Sequence, residues 1–371
     1  MNALTVWPKE RTSKVIQLEE PALASATAVK FRTVEVGVCG TDTEICSFAY
    51  GIPPAGSDYL ITGHEALGEV QEVGPDVARV NIGDLVVPSV RRPCPHTHCP
   101  ACRSGHQDFC VTGDYTERGI KGAHGFLAEY VVEDERYLTP VPAALRDVAV
   151  LTEPLTIAEK ALRQFVDVQR RLPWKRELGD GELLAGQRAV VLGAGPVGIL
   201  GCMLLVQRGL PTVVYSRSKK PNPKAELVES IGATYVSSED ESFADLARRI
   251  GQVDLVYEAA GASKVAFEVL GCLGANGVFI FTGVPGRKAR VDLAADAIMK
   301  NIVLNNQAVL GTVNASRADF EEAVRDLERF SAAWPDALRS MITGRHSIGQ
   351  FCEQAGSKHG IKNVITIEAA S

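Results

Sequence analysis

Four cysteines, Cys94, Cys99, Cys102 and Cys110, fall within seventeen residues whose other members are Pro, His, Gly and polar side chains. Four soft thiolates on one loop suit a closed, tetrahedral structural zinc site. His96 and His98 lie in the first gap, so either imidazole could stand in for one thiolate. A second constellation is dispersed: Gly37-Val-Cys39-Gly-Thr41-Asp42, then Gly63-His64-Glu65, then Thr152-Glu153-Pro154. One thiolate, one imidazole and one carboxylate from three separated turns make a three-ligand zinc site with a position left for substrate. Taken singly, Cys39 reads as a core thiol, His64 as a satisfied core histidine and Glu153 as a solvated carboxylate at a helix start. Their joint occurrence in this order is what points to a metal.

Gly193-Ala-Gly195-Pro196-Val197-Gly198 follows an apolar strand and opens a helix. Its glycines allow the tight turn, the backbone's approach to a pyrophosphate and the close packing of helix on strand, which is the dinucleotide-binding arrangement. One strand later, an acidic side chain would hydrogen-bond the ribose 2′-hydroxyl of NAD. Here the strand ends in Tyr215-Ser216-Arg217-Ser218-Lys219-Lys220, with no Asp or Glu between Gly198 and Glu226. Arg217 presents a bidentate fork to a 2′-phosphate, with Ser216 and Lys219 as further donors. NADP is expected, and NAD remains open, as does a plain solvated basic loop.

The elements that position these residues divide the chain. From Thr27 to Leu138, short β-branched runs broken by Gly, Pro and Asp predict an all-β, barrel-like unit. A helix from Thr156 to about Gln169 leads into a polar linker near 172–186. From Arg188 onward, strand and helix patterns alternate, which predicts a parallel, doubly wound sheet because parallel strands need crossover helices. The tail holds an amphipathic helix, ADFEEAVRDLERF, and a closing strand, NVITIE. The uncharged run Ala189 to Val206 has membrane length, but five of its eighteen residues are Gly or Pro, so it reads as strand, turn and helix.

With 371 residues, 46% hydrophobic and 23% charged, two domains with ample cores are expected, and a small disulfide scaffold is excluded. The net charge of −6 offers no basic face for nucleic acid or anionic lipid. Met1 to Lys14 contains no apolar segment that would serve as a signal peptide, so a cytoplasmic protein is expected. The nine cysteines suggest metal ligation in a reducing compartment more than disulfides.

The order GVCGTD, GHE, four-cysteine loop, TEP and GAGPVG resembles the zinc-dependent medium-chain alcohol dehydrogenase superfamily over nearly the whole chain. Within it, VPSVRRPC, RSGHQDFCVTG, HGFLAEYVV, VQRRLPW and LGTVNAS are similar to the glucose 1-dehydrogenases best known from archaea. The resemblance implies an α/β chain with a GroES-like β-barrel catalytic domain over residues 1–186, to which 312–371 return. Residues 187–311 would form a Rossmann NADP-binding domain, the two meeting at a cleft. It implies two zinc ions per chain: one held by Cys39, His64 and Glu153, with Glu65 as an alternate ligand, and one by the four-cysteine loop. Thr41 would relay the substrate's hydroxyl proton and Asp42 would orient His64. Thr282, Gly283 and Val313 would lie beside the nicotinamide, and Asn314 would touch both cofactor and substrate. A homodimer or homotetramer follows from the same likeness.

By alignment with the glucose enzymes, positions that hold sugar hydroxyls carry Val90 for Asn, Ile157 for Asp, Leu304 for His and Asp114 for Glu. Aliphatic groups at three such positions should remove much of the preference for a hexose, while Glu117 and Arg91 would supply new polar contacts. The expected reaction is reversible, NADP-linked oxidation of an alcohol, with a sugar or polyol first. A less polar secondary alcohol or ketone, or a modified sugar from a biosynthetic pathway, is the alternative. A non-catalytic superfamily member and a zinc-free quinone reductase are the remaining readings, and both conflict with the retained ligand sets.

Overall fold

The computed structural model of the chain describes residues 1–286, 290–357 and 360–367. It divides into two compact units, Met1–Thr156 with Asn314–Ser371, and Ile157–Val313.

In the first unit, the long strand Ala28–Gly37 organises a seven-stranded sheet. It pairs antiparallel with Glu65–Val73 along one edge. Along the other edge, Tyr130–Asp134 meets its first half and Lys362–Thr366 its last three residues. Leu85–Pro88 and Leu138–Val141 extend the sheet beyond Glu65–Val73, and Ile342–Ser347 lies parallel to Lys362–Thr366. Phe31, Val36, Val70, Val86, Phe126, Leu127, Phe351 and Ile365 are fully buried in one core beneath it. The β-branched, half-alternating runs of the sequence thus become a sheet because their apolar faces share that core. The amphipathic helix is Arg317–Ala333, with Phe320, Ala323, Val324, Leu327 and Phe330 on its buried side.

The second unit is a six-stranded parallel sheet in the spatial order Thr234–Ser237, Thr212–Ser216, Ala189–Leu192, Leu255–Glu258, Val278–Phe281, Ala308–Gly311. This is the doubly wound order, with its switch point between Ala189–Leu192 and Leu255–Glu258. The uncharged run resolves into the strand Ala189–Leu192 and the helix Pro196–Gln207. Among the described residues, no helix is long and apolar enough to cross a membrane.

Two sequence expectations are revised. The division between units falls at 156/157 and 313/314, where the sequence pointed to 186/187 and 311/312. The reason is packing: in the helix Thr152–Gln169, Ala158, Ala161 and Leu162 face Leu204, Leu205, Leu255 and Tyr257 of the second unit. The expected polar linker also contains the helix Asp180–Leu184, whose Leu183 and Leu184 are buried. Second, the cysteines are not all reserved for metal, since Cys46 and Cys352 form a disulfide. They are 306 residues apart in sequence, and tertiary packing of the helix Phe351–Gly356 on the helix Gly40–Cys46 brings their Cα atoms to 5.4 Å. No sequence spacing announces such a pair.

Candidate active site

Cys39 follows the strand Ala28–Gly37 and caps the helix Gly40–Cys46. Its Sγ accepts the Thr41 N–H at 3.3 Å, while Asp42 reaches back to accept the Cys39 N–H at 2.9 Å. This reciprocal cap satisfies free amides of the first turn and fixes where the thiol points. His64 lies in the turn before Glu65–Val73, its Nε2 3.0 Å from Cys39 Sγ and its Nδ1 3.6 Å from Asp42 Oδ1. Burial opposes a charge on His64, but the facing Cys39 and Asp42 outweigh it and hold its pKa well above the usual value. Burial pushes the Cys39 thiol up, with His64 opposing. Asp42 is fully buried.

Ligand atoms of Cys39, His64 and Glu65 lie within 4.8 Å of one another. Glu65, expected as the alternate ligand, is in this convergent set, and the Glu153 carboxylate is near enough to feel the charges of Glu65 and His64. Burial, reinforced by the Glu65 charge, pushes the Glu153 carboxyl up to about 7. Glu65 is fixed by a residue that sequence reasoning missed. Lys362, 1% exposed, pairs its Nζ with the Glu65 carboxylate and donates to Val38 O at 2.9 Å. The pair lies over Gly37, where a Cβ would fall 2.2 Å from Glu65 Oε2 and 2.8 Å from Lys362 Cε. Glycine is required there by close approach. Nothing local marks Lys362, because it arrives through the pairing of Val364 with Gly37 inside the sheet.

A second polar group forms around Glu117, on the short strand Thr116–Arg118. Glu117 Oε1 accepts from Arg91 Nε at 3.1 Å, Arg91 Nη2 at 2.9 Å and Asn314 Nδ2 at 3.0 Å. Arg91 is 5% exposed, donates to Asp108 O and stacks 3.7 Å from the centroid of Tyr115. Asn314 holds a left-handed backbone, φ +61, which Asn tolerates better than most residues. The preceding Val313 receives Lys160 Nζ on its carbonyl at 2.9 Å. Of the other expected substrate positions, Val90 is corrected: it is 2% exposed and packs with Val6, Ile45, Leu60 and Ile120 in the core. Asp114 is exposed on the cysteine loop and pairs with His96. Ile157 and Leu304 belong to the second unit, Leu304 on the exposed face of the helix Ala295–Leu304.

The sulfurs of Cys94, Cys99, Cys102 and Cys110 also lie within 4.8 Å of one another. Cys99 caps the helical turn Pro100–Arg103, and Cys94 N–H points to Cys102 Sγ at 3.4 Å. His96 is engaged by Asp114 and stands 5.2 Å, ring to ring, from His98. The convergent atoms are the four thiols, and neither imidazole is among them.

In the second unit, Gly193 has φ +98, and a Cβ on Gly198 would lie 2.2 Å from Gly193 O. Gly195 caps the helix Pro196–Gln207 and has open space at its Cβ position, the place where a phosphate approaches a helix N-terminus. Beyond the strand Thr212–Ser216, Lys219 is taken by Asp240 at 2.9 Å and Lys220 by Glu229. Arg217 is exposed, and no ion pair or side-chain hydrogen bond engages its guanidinium among the described residues. Thr282 and Gly283 follow the strand Val278–Phe281, and both are bonded to Glu258.

Comparison with known proteins covers both halves. Residues 25–143 match the alcohol dehydrogenase GroES-like domain, and residues 146–367 match the glucose dehydrogenase C-terminus. The chain is 38% identical over 371 residues, 100% of each chain, to a glucose 1-dehydrogenase of Methanocella arvoryzae. It is 40% identical over 344 residues, 92% of each chain, to that of Thermoproteus tenax. The glucose dehydrogenase of Haloferax mediterranei, solved in complex with NADP, Zn and gluconolactone, superposes with a TM-score of 0.87 at 32% identity, covering 100% of both chains. The ordered ligand motifs, the sheet order and the end-to-end matches agree: the chain belongs to the glucose 1-dehydrogenase branch of the zinc-dependent medium-chain alcohol dehydrogenase superfamily.

Proposed function

We propose that this protein is a zinc-dependent, NADP-linked sugar dehydrogenase that oxidises the anomeric hydroxyl of glucose or a related aldose. The cyclic sugar loses a hydride to NADP and a proton to the protein and solvent, giving the lactone and NADPH. The observation that carries this reading is the convergence of Cys39, His64 and Glu65 in a chain similar to glucose 1-dehydrogenases along its whole length.

A zinc ion would be held by Cys39, His64 and one carboxylate, Glu153 or its alternate Glu65, and would supply Lewis-acid polarisation of the substrate hydroxyl, while NADP would supply the hydride acceptor. Asp42 faces His64 Nδ1 at 3.6 Å and would orient the ring so that Nε2 could serve the metal. Thr41, in the first turn after Cys39, takes the proton from the substrate's hydroxyl. Glu117 and Asn314 meet sugar hydroxyls with an acceptor and a donor, and the two Arg91 hydrogen bonds hold the Glu117 carboxylate in place. The alternative, a less polar alcohol, loses one of its three supports because Val90 is a core residue. Initial rates with NADP on zinc-replete protein, across aldoses, polyols and simple secondary alcohols, test the choice. Turnover of aldoses is expected; turnover confined to apolar secondary alcohols overturns it.

Arg217 is the 2′-phosphate ligand in this reading, since its guanidinium is free while Lys219 is already paired. Arg217→Ala should weaken NADPH binding by roughly 1.5–3 kcal/mol and spare NADH, whereas Lys219→Ala should change little. Equal losses for the two cofactors in a fluorescence titration would remove the assignment. The protein assembles as a homodimer or homotetramer: the edge strand Ala308–Gly311 exposes Val309, and the neighbouring helix exposes Met299, Val303 and Leu304. A monomer in sedimentation equilibrium at micromolar concentration would contradict this. A cytoplasmic setting suits the four-cysteine loop and the Cys39 thiol, which need reduced cysteines, while the Cys46–Cys352 bridge pulls the other way.

A further inference from the structure

Glu258 ends the strand Leu255–Glu258 with its side chain 1% exposed, and backbone N–H groups surround its carboxylate. Oε1 accepts from Ala260 at 2.9 Å and Gly261 at 2.8 Å, and Oε2 from Gly283 at 3.3 Å. The backbone carbonyl of the same residue accepts from Thr282 N at 3.0 Å and Thr282 Oγ1 at 2.6 Å. One residue therefore ties the loop 259–262, after its own strand, to the loop 282–284, after the neighbouring strand. The loops are in contact: a Cβ on Gly283 would fall 2.3 Å from Gly261 N, and one on Gly261, φ +60, 3.0 Å from Val284 O. The first loop also backs the dinucleotide turn, because a Cβ on Gly193 would lie 3.0 Å from Ala260 Cβ.

Glu258 stands at the switch point of the sheet, in register with Leu192 immediately before Gly193. In a doubly wound sheet each half binds one mononucleotide, and the dinucleotide crosses the C-terminal edge at that point. The Gly193–Gly198 turn and Arg217 lie on the adenosine side. The loops tied by Glu258 lie on the other.

We propose that Glu258 is a positioning residue that fixes the loops 259–262 and 282–284 as the cradle for the nicotinamide half of the cofactor. The inference rests on the NADP reading above. Its chemistry is specific to a carboxylate, since every group facing it donates. A glutamine of the same shape turns an NH2 donor against a backbone donor, which repels Gly261 or Gly283 and loosens the contact between the loops. The Glu258 carbonyl still holds Thr282 N at 3.0 Å and Gly283 N at 3.2 Å.

The test compares two probes on zinc-loaded protein: NADPH, which spans both halves, and 2′,5′-ADP, which carries the adenosine half alone. Glu258→Gln should weaken NADPH about tenfold or more, the loss of one charge-assisted hydrogen bond, and leave 2′,5′-ADP within about twofold. The KM for NADP should rise more than the KM for sugar. Equal weakening of both probes, or of neither, overturns the assignment. Wild-type protein that binds neither probe overturns the NADP reading, and this inference with it. If Glu258→Gln does not fold, Glu258→Asp, which keeps the charge but withdraws it by one methylene from Gly261 and Gly283, should give the same split.

Discussion

The four-cysteine loop and the Cys39 cluster each bring potential metal ligands within 4.8 Å of one another, yet they are held in different ways. The loop's four sulfurs come from seventeen consecutive residues, and the helical turn Pro100–Arg103 with its flanking bends sets their spacing. Around Cys39, the ligands come from the ends of separate elements, and buried charges far away in sequence fix them: Asp42 on His64, Lys362 on Glu65. A site that only has to hold a metal can be closed by local backbone. A site that must also present a substrate needs carboxylates and an imidazole aimed by the surrounding fold, at the cost of burying charge.

The sharpest way to break this comparison is at the ligands. Cys39→Ala or His64→Ala should reduce turnover by roughly 100-fold or more, the loss of several kcal/mol of metal-assisted stabilisation, with NADPH affinity nearly unchanged. A variant that keeps more than about a tenth of the wild-type rate refutes the ligand assignment. Changing Cys94, Cys99, Cys102 or Cys110 to Ser should instead remove one zinc and lower stability. A loss of about 3 kcal/mol would bring the melting midpoint down by roughly 6–12 °C. Unchanged zinc content in such a variant would bring His96 or His98 back as a ligand.

Graded chelation sharpens the contrast. Activity should disappear with the first zinc released while circular dichroism stays native, and unfolding should accompany the second. Simultaneous loss would mean that the two sites do not divide the work between chemistry and stability. The smallest effect is expected at Gly37→Ala, where a Cβ displaces the Glu65–Lys362 pair. It should cost about 1–3 kcal/mol in denaturant unfolding and loosen the zinc near Cys39, leaving the loop zinc in place. Equal loosening of both metals would remove the local role given to that pair.

Much of this was legible in the order of residues. The glycine turn, the missing acidic residue after Tyr215 and the cysteine spacing each act within a few positions, so the chain carries them openly. Which carboxylate converges with Cys39 and His64 was not legible, because Glu65 and Glu153 have the same chemistry and only the folded chain brings Glu65 within 4.8 Å of both and pairs it with Lys362. Val90 was misread as a pocket residue because an alignment position carries no information about which way a side chain faces. Lys219 looked as available as Arg217 until Asp240 was found beside it.

By itself the sequence determined the division into a β-rich and an α/β part, the doubly wound half, the dinucleotide turn and the ligand types, because these depend on periodicity, turn chemistry and donor identity over short spans. Tertiary structure alone decided the Glu117–Asn314 contact, 197 residues apart, the Lys362–Glu65 pair and the Cys46–Cys352 bridge. It also set the Glu258 brace between two loops. The physical reason is that a buried polar group must find a partner, and which partner it finds is fixed by strand register and packing rather than by proximity along the chain.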